Sequence, residues 1–162
     1  MIVEPKQAYL YAYSNGVKFP NDWYITENFK WNEVFKNEKL TDGVPILEVF
    51  ENALRIGELI QLLWDELKQP INVHCWVRQP KHNKRVAGAK LSAHLNGLAI
   101  DFDVKNMTSE QTRAYIKAMR LPVRVEAETK GWVHIDLSSY VVNFKTGLFF
   151  SKWKNLNYML WC

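Results

Sequence analysis

Two strand-like stretches carry the residues that could do chemistry. The first, SAHLNGLAIDFD at 92–103, sets His94 seven positions before Asp101, with Asp103 two further on. The second, GWVHIDL at 131–137, carries His134 and Asp136. In an extended strand, alternate side chains share a face. Along 98–104, Leu98, Ile100, Phe102 and Val104 point one way, and Ala99, Asp101 and Asp103 the other. Along 131–137, Trp132, His134 and Asp136 share a face opposite Val133, Ile135 and Leu137. Each strand thus offers an apolar face to a core and a second face bearing ionisable groups. If the strands are neighbours, Asp101 and His134 meet across the sheet. His94 precedes the first strand in a loop that Gly97 allows to turn sharply. Two imidazoles and one carboxylate, with a fourth position left to water, form the donor set of a catalytic zinc site. A satisfied polar pair at the edge of a core is the alternative, and spacing alone does not separate the two.

The elements that must position these residues follow from periodicity. Residues 46–68 repeat apolar side chains at three and four (Ile46, Val49, Phe50, Ala53, Ile56, Ile60, Leu63 and Leu67), which is one face of a helix. Thr41 or Asp42 precedes it and Pro70 follows. A short helix carrying Trp31, Val34 and Phe35 is expected after Thr26 or Asn28. Strands are expected at 71–77 and 98–104, and a polar connection spans 79–90. Thr108 with Gln111 three later signals a capping box for a helix over 108–120. Residues 121–127 and 131–137 read as a β-hairpin with its turn at 128–130. Residues 1–25 are expected to wrap the domain as loop and short strand. The fold class is α+β: a small antiparallel sheet with helices packed on one face and the candidate site on the sheet.

Composition narrows the function classes. The 162 residues suffice for a single domain, 1–162, with 48% hydrophobic residues and no apolar run long enough to span a membrane. The first residues do not read as a secretory signal. Two cysteines, Cys75 and Cys162, make no disulfide framework, and Cys75 is expected as a small buried hydrophobe. The net charge of +4 suits an anionic polymer, and only 78–90 concentrates basic residues. His74 reads as a sheet-face histidine and His82 as part of that basic loop; neither is expected to ligate a metal. A nucleic-acid-binding reading of the basic loop is disfavoured, because the tryptophans fall in expected core elements. The segment 138–162 is an aromatic, basic extension.

The series Ser92-x-His94-x-x-Gly97-x-Ala99-x-Asp101, followed by Trp132-Val133-His134-x-Asp136, resembles the zinc peptidases that include D-Ala-D-Ala carboxypeptidases, vancomycin-resistance dipeptidases and phage L-alanyl-D-glutamate endopeptidases. The hedgehog signalling domain shares their fold. The likeness extends through Arg78, Pro80, Asn83 and the small residues Gly88-Ala89, and reaches back to Glu27-Asn28-Phe29 with Glu33, so that it covers about 26–137. It implies His94, Asp101 and His134 as zinc ligands, with Asp136 supporting a ligand histidine. It implies Arg78 as the residue that holds a substrate carbonyl or carboxylate and stabilises the oxyanion. Ser92 and Trp132 are implied as substrate contacts. Many relatives carry an acid three positions before the last histidine, where this chain has Gly131. Glu128 is the expected general base, with Glu126 the alternative. The implied function is a zinc metallopeptidase cutting peptidoglycan stem peptides, by carboxypeptidase or endopeptidase action. It would be a monomer without nucleic-acid or membrane partners, cytoplasmic until released to the wall as a phage lysin is, or carried on the virion. The alternative is a zinc-containing binding module of the same fold without turnover.

Overall fold

In the computed structural model, residues 1–137 are described, apart from 37, 41 and 128. The chain runs α1 (Pro5–Asn15), α2 (Trp31–Val34), α3 (Leu47–Leu67), β1 (Ile71–Cys75), α4 (Pro80–Arg85), a 3-10 turn (Ala93–Asn96), β2 (Ala99–Val104), α5 (Ser109–Ala118), β3 (Arg124–Val125) and β4 (Val133–Asp136). The four strands form one antiparallel sheet in the order β1-β2-β4-β3. This is the expected α+β architecture.

The long helix forms where the apolar repeat places it. Val49, Phe50, Ala53, Ile56, Ile60 and Leu63 are all buried, and the helix ends at Lys68 in a left-handed conformation. Its start differs from expectation. Ile46 occupies the N-cap without a side-chain cap. Asp42 instead accepts the backbone N–H of Lys81 at 2.8 Å, and residue 41 lies outside the described residues. The capping box at α5 is present: Gln111 N–H donates to Thr108 Oγ1 at 3.2 Å, and Thr108 N–H donates to Gln111 Oε1 at 2.8 Å.

Four expectations need correction. Residues 5–15 form a helix and not loop and strand. Its buried face is two alanines, Ala8 and Ala12, too slight to give an apolar period, and Pro5 presets its first turn. The short helix near 31 is not capped by Thr26 or Asn28. Glu33 reaches back to accept the Lys30 N–H at 2.7 Å. The polar connection contains α4, again with proline in its first turn. The hairpin is real but reduced. β3 spans only Arg124–Val125, so the connection to β4 is longer than the three-residue turn expected.

The core forms where helices cover the apolar side of the sheet. α3 lies against β2, α2 against β1, and α5 against β2 and β4. Val73, Ile100, Phe102, Val104, Val133 and Ile135 are buried with Phe50, Ile56, Ile60 and Ile116. The opposite side of the same strands stays open enough to hold Asp101 and His134.

Candidate metal centre and cleft

Sheet register brings the ionisable residues together. Asp101 pairs directly with His134 across β2 and β4, and with Cys75 across β1 and β2. The 3-10 turn carries His94 back over this row. Three contacts fix it. The Arg78 N–H donates to the His94 carbonyl at 3.0 Å, Leu98 N–H to the Ala93 carbonyl at 3.0 Å, and Asn52 Nδ2 on α3 to the Asn96 carbonyl at 2.9 Å. Gly97 closes the turn at φ +71°, and a Cβ there would lie 2.5 Å from the Val49 carbonyl oxygen. The turn therefore needs glycine for both its backbone conformation and its approach to α3.

Asp101 is the hub. His94 Nε2 is 3.3 Å from Asp101 Oδ2, and His134 Nδ1 is 2.7 Å from Asp101 Oδ1. The outer nitrogen of each ring is also held. His94 Nδ1 donates to the Trp76 carbonyl at 2.7 Å, and His134 Nε2 lies 3.0 Å from Asp136 Oδ2. Asp136 is fully buried and takes a second contact from Arg124 Nη2 at 2.5 Å. Arg78 Nη2 stands 3.6 Å from Asp101 Oδ2.

This donor set suits a divalent cation. The Trp76 carbonyl can only accept, so it fixes the proton of a neutral His94 on Nδ1 and turns the Nε2 lone pair toward a carboxylate oxygen. His134 likewise faces carboxylates with both nitrogens. Each ring therefore demands positive charge between itself and Asp101, either a second proton or a metal ion. The 3.3 Å separation of His94 Nε2 and Asp101 Oδ2 matches two ligand atoms each about 2.0 Å from one tetrahedral ion. His134 Nδ1, at 2.7 Å from Asp101 Oδ1, stands instead at hydrogen-bond distance, and the donor atoms lying within 4.8 Å of one another among the described residues are those of Cys75, His94 and Asp101. Without an ion, protons take its place. Burial pushes the His94 pKa down, but the hydrogen bond and charge of Asp101, with Cys75 beside the ring, outweigh it and raise the pKa to about 9. The same balance raises His134. Burial pushes Asp101 up, and its two imidazole partners reverse that and hold it well below the usual carboxylate range.

A third donor faces the same hub. Cys75 Sγ, His94 and Asp101 bring ligand atoms within 4.8 Å of one another. The sulfur is 3.8 Å from His94 Nδ1 and accepts from Arg78 Nη2 at 3.5 Å. Cys75 is half-buried at this polar edge and is not the core hydrophobe expected.

A cleft of about 420 Å³ opens over these groups. Arg78, His94, Asp101 and His134 line it together with Ser92 and Leu91 from the segment before the 3-10 turn and with Arg124, Glu126, Thr129 and Trp132 from β3 and the segment that follows it. Arg78 is oriented by Asn83, whose Oδ1 accepts from Nη1 at 3.2 Å and whose amide is tied to the Ala89 carbonyl at 3.0 Å. Gly88 makes room for this, since a Cβ there would meet Asn83 Oδ1 at 2.2 Å. Glu126 lines the cleft, while Glu128 falls outside the described residues, as does the 138–162 extension. His74 and His82 stand apart from the hub, on Asp103 at 2.6 Å and Glu38 at 2.5 Å. Sequence reasoning missed Cys75, Arg124 and Thr129. Cys75 carried no signal because regular alternation does not reveal the register shift that turns it toward Asp101. Arg124 was findable as the β3 residue opposite Asp136.

Fold and site together define a small α+β domain with a cluster of metal-competent side chains on an antiparallel sheet. The family model for peptidase M15 matches residues 27–136, and the chain belongs to that family. No curated protein and no solved structure matches it. Among the described residues, no helix is long and apolar enough to cross a membrane.

Proposed function

We propose that this chain is a zinc-dependent peptidase that hydrolyses a bond in peptidoglycan stem peptides, with His94, Asp101 and His134 as the zinc ligands. The observation that carries this reading is the pair of imidazole nitrogens set on the two oxygens of Asp101, each ring fixed from behind by Trp76 or Asp136. When bound, zinc lowers the pKa of a coordinated water toward about 7 and polarises a carbonyl. The protein's own groups do the rest. Arg78, a permanent cation lining the cleft, stabilises the charge that develops on the scissile carbonyl oxygen. An acid in the segment between β3 and β4 takes a proton from the attacking water and returns it to the leaving amine. Glu126 and Glu128 compete for this role, and single Gln variants separate them. Ser92 and Trp132 line the path of the peptide. Arg78 and Arg124 on one cleft, with a net charge of +4, suit a carboxylate-bearing stem peptide on an anionic wall. Residues 26–137 are taken as the catalytic core.

The test is a digest of purified peptidoglycan by zinc-loaded protein, read by mass spectrometry beside His94→Ala and Arg78→Lys variants. New stem-peptide fragments are expected, absent with His94→Ala and reduced about 10²-fold in rate with Arg78→Lys. Fragment masses distinguish a carboxypeptidase from an endopeptidase. An unchanged digest from protein shown to hold zinc would refute the peptidase reading. It would favour the binding module of the same fold without turnover.

A further inference from the structure

The β1 strand contains one irregularity, and it lies beside the metal centre. Ile71, Asn72 and Val73 pair in step with Val104, Asp103 and Phe102. Continued in step, the next residue, His74, would oppose Asp101. The register instead shifts between Val73 and Cys75, and Cys75 takes the place opposite Asp101. His74 moves onto Asp103, with Nε2 at 2.6 Å from its carboxylate. A bulge adds one residue to a strand and re-aims the side chains that follow. Here it exchanges an imidazole for a thiol at the wall of the site.

The thiol's surroundings are those of a ligand and not of packing. Its sulfur shares a 4.8 Å cluster of donor atoms with His94 and Asp101 and accepts from Arg78 Nη2 at 3.5 Å, while His94 Nδ1, 3.8 Å away, is the ring nitrogen turned to the Trp76 carbonyl. Resting on the assignment of His94, Asp101 and His134 as ligands, we propose that Cys75 is a fourth protein donor, recruited by thiophilic divalent ions such as cadmium. Two states of the centre follow. With His94, Asp101 and His134 alone, the coordination keeps a position open to water. With Cys75 joined, four protein donors close it, the arrangement of a site that holds a metal without turning over substrate. A ligating thiol gives its proton to solvent, and the sulfur lone pair so freed makes the bond to the ion, so no oxidant is required. Thiolate donors favour soft ions over hard ones. The bulge therefore sets which metals the centre takes and which of them silence it.

Cobalt absorption tests this without reference to activity. The parent protein carries Cys162→Ser, which removes the only other cysteine. Loaded with cobalt, it is expected to show visible bands of tetrahedral cobalt and a near-ultraviolet sulfur-to-cobalt charge-transfer band. Cys75→Ser in that background keeps the visible bands, loses the charge-transfer band and binds cadmium about tenfold more weakly or worse. Visible bands without the charge-transfer band in the parent overturn the role of Cys75 and leave the metal centre standing. No visible bands in either protein overturn the centre and this inference with it. If Cys75→Ser does not fold, cadmium NMR of the parent decides. A resonance in the sulfur-ligated range supports the assignment, and one in the nitrogen–oxygen range overturns it.

Discussion

Asp136 touches neither the cleft nor Asp101, yet its replacement is expected to weaken metal binding strongly. It is fully buried, 3.0 Å from His134 Nε2, and its second partner is Arg124 Nη2 at 2.5 Å. Through the first contact it fixes His134 with the proton on Nε2, leaving Nδ1 free to face Asp101. Asp136→Asn preserves volume but replaces one acceptor oxygen with an N–H₂ donor. His134 Nε2 and Arg124 Nη2 both meet the same oxygen, Asp136 Oδ2; a neutral amide oxygen in that place accepts more weakly than a charged carboxylate oxygen and no longer balances Arg124. Loss of such a carboxylate behind a ligand histidine costs about 10–100-fold in metal affinity. That is about 1.4–2.8 kcal/mol. Competition for zinc against a chromophoric chelator measures this directly, with circular dichroism confirming that the variant is folded. Arg124→Ala provides the contrast. Arg124 is half-exposed and its loss leaves the His134 contact intact, so affinity should fall by less than about threefold. A folded Asp136→Asn protein that binds zinc as tightly as the parent would refute the argument that Asp136 holds the ligand ring.

The metal-free protein should lose stability with rising pH. His94 titrates at about 9 when folded, above its unfolded value; its contribution is complete below pH ~6.5 and gone above pH ~9, a loss of at most about 3 kcal/mol. Asp101 is shifted down, so its contribution is present above pH ~4 and lost as pH falls further. Thermal melts without metal should therefore peak between these limits, saturating zinc should flatten the alkaline fall, and a metal-free Tm that climbs from pH 6.5 to 9 would contradict the arrangement. Gly97→Ala should cost at least about 2 kcal/mol in urea unfolding, since a left-handed backbone costs alanine about 1–2 kcal/mol and its Cβ would lie 2.5 Å from the Val49 carbonyl oxygen; near-parental stability would mean that the turn yields easily. Arg113 on α5 donates to both Thr129 O and Thr129 Oγ1 at 3.1 Å, and so tethers the segment that carries Trp132 and the candidate bases. Arg113→Ala should raise KM for a stem peptide severalfold with a smaller fall in kcat, and unchanged kinetics would mean that the segment needs no tether.

What was legible in the sequence was whatever repeats along the chain. The 3.6-residue period of α3, the alternation of 98–104 and 131–137, and the Thr108–Gln111 cap each reflect a local rule, and each element forms. The two-sided character of β2 and β4 also follows from alternation alone. It placed Asp101 and His134 on polar faces, and the tertiary structure made those faces one by pairing the two residues in register. α1 escaped notice because alanines bury a helix as well as leucines do when a neighbour sits close, and no apolar period then shows. The truncation of β3 and the bulge in β1 were equally hidden, since pairing partners determine where a ladder ends or slips. Tertiary structure alone decided the second contacts of each imidazole: the carbonyl of Trp76 behind His94, and Arg124 buttressing the Asp136 that holds His134. It also decided that Cys75, and not His74, stands opposite Asp101. Composition and spacing say which groups a chain owns. Register, bulges and close backbone approaches say which of them meet, because these arise between segments distant in sequence and leave no periodic trace in either one.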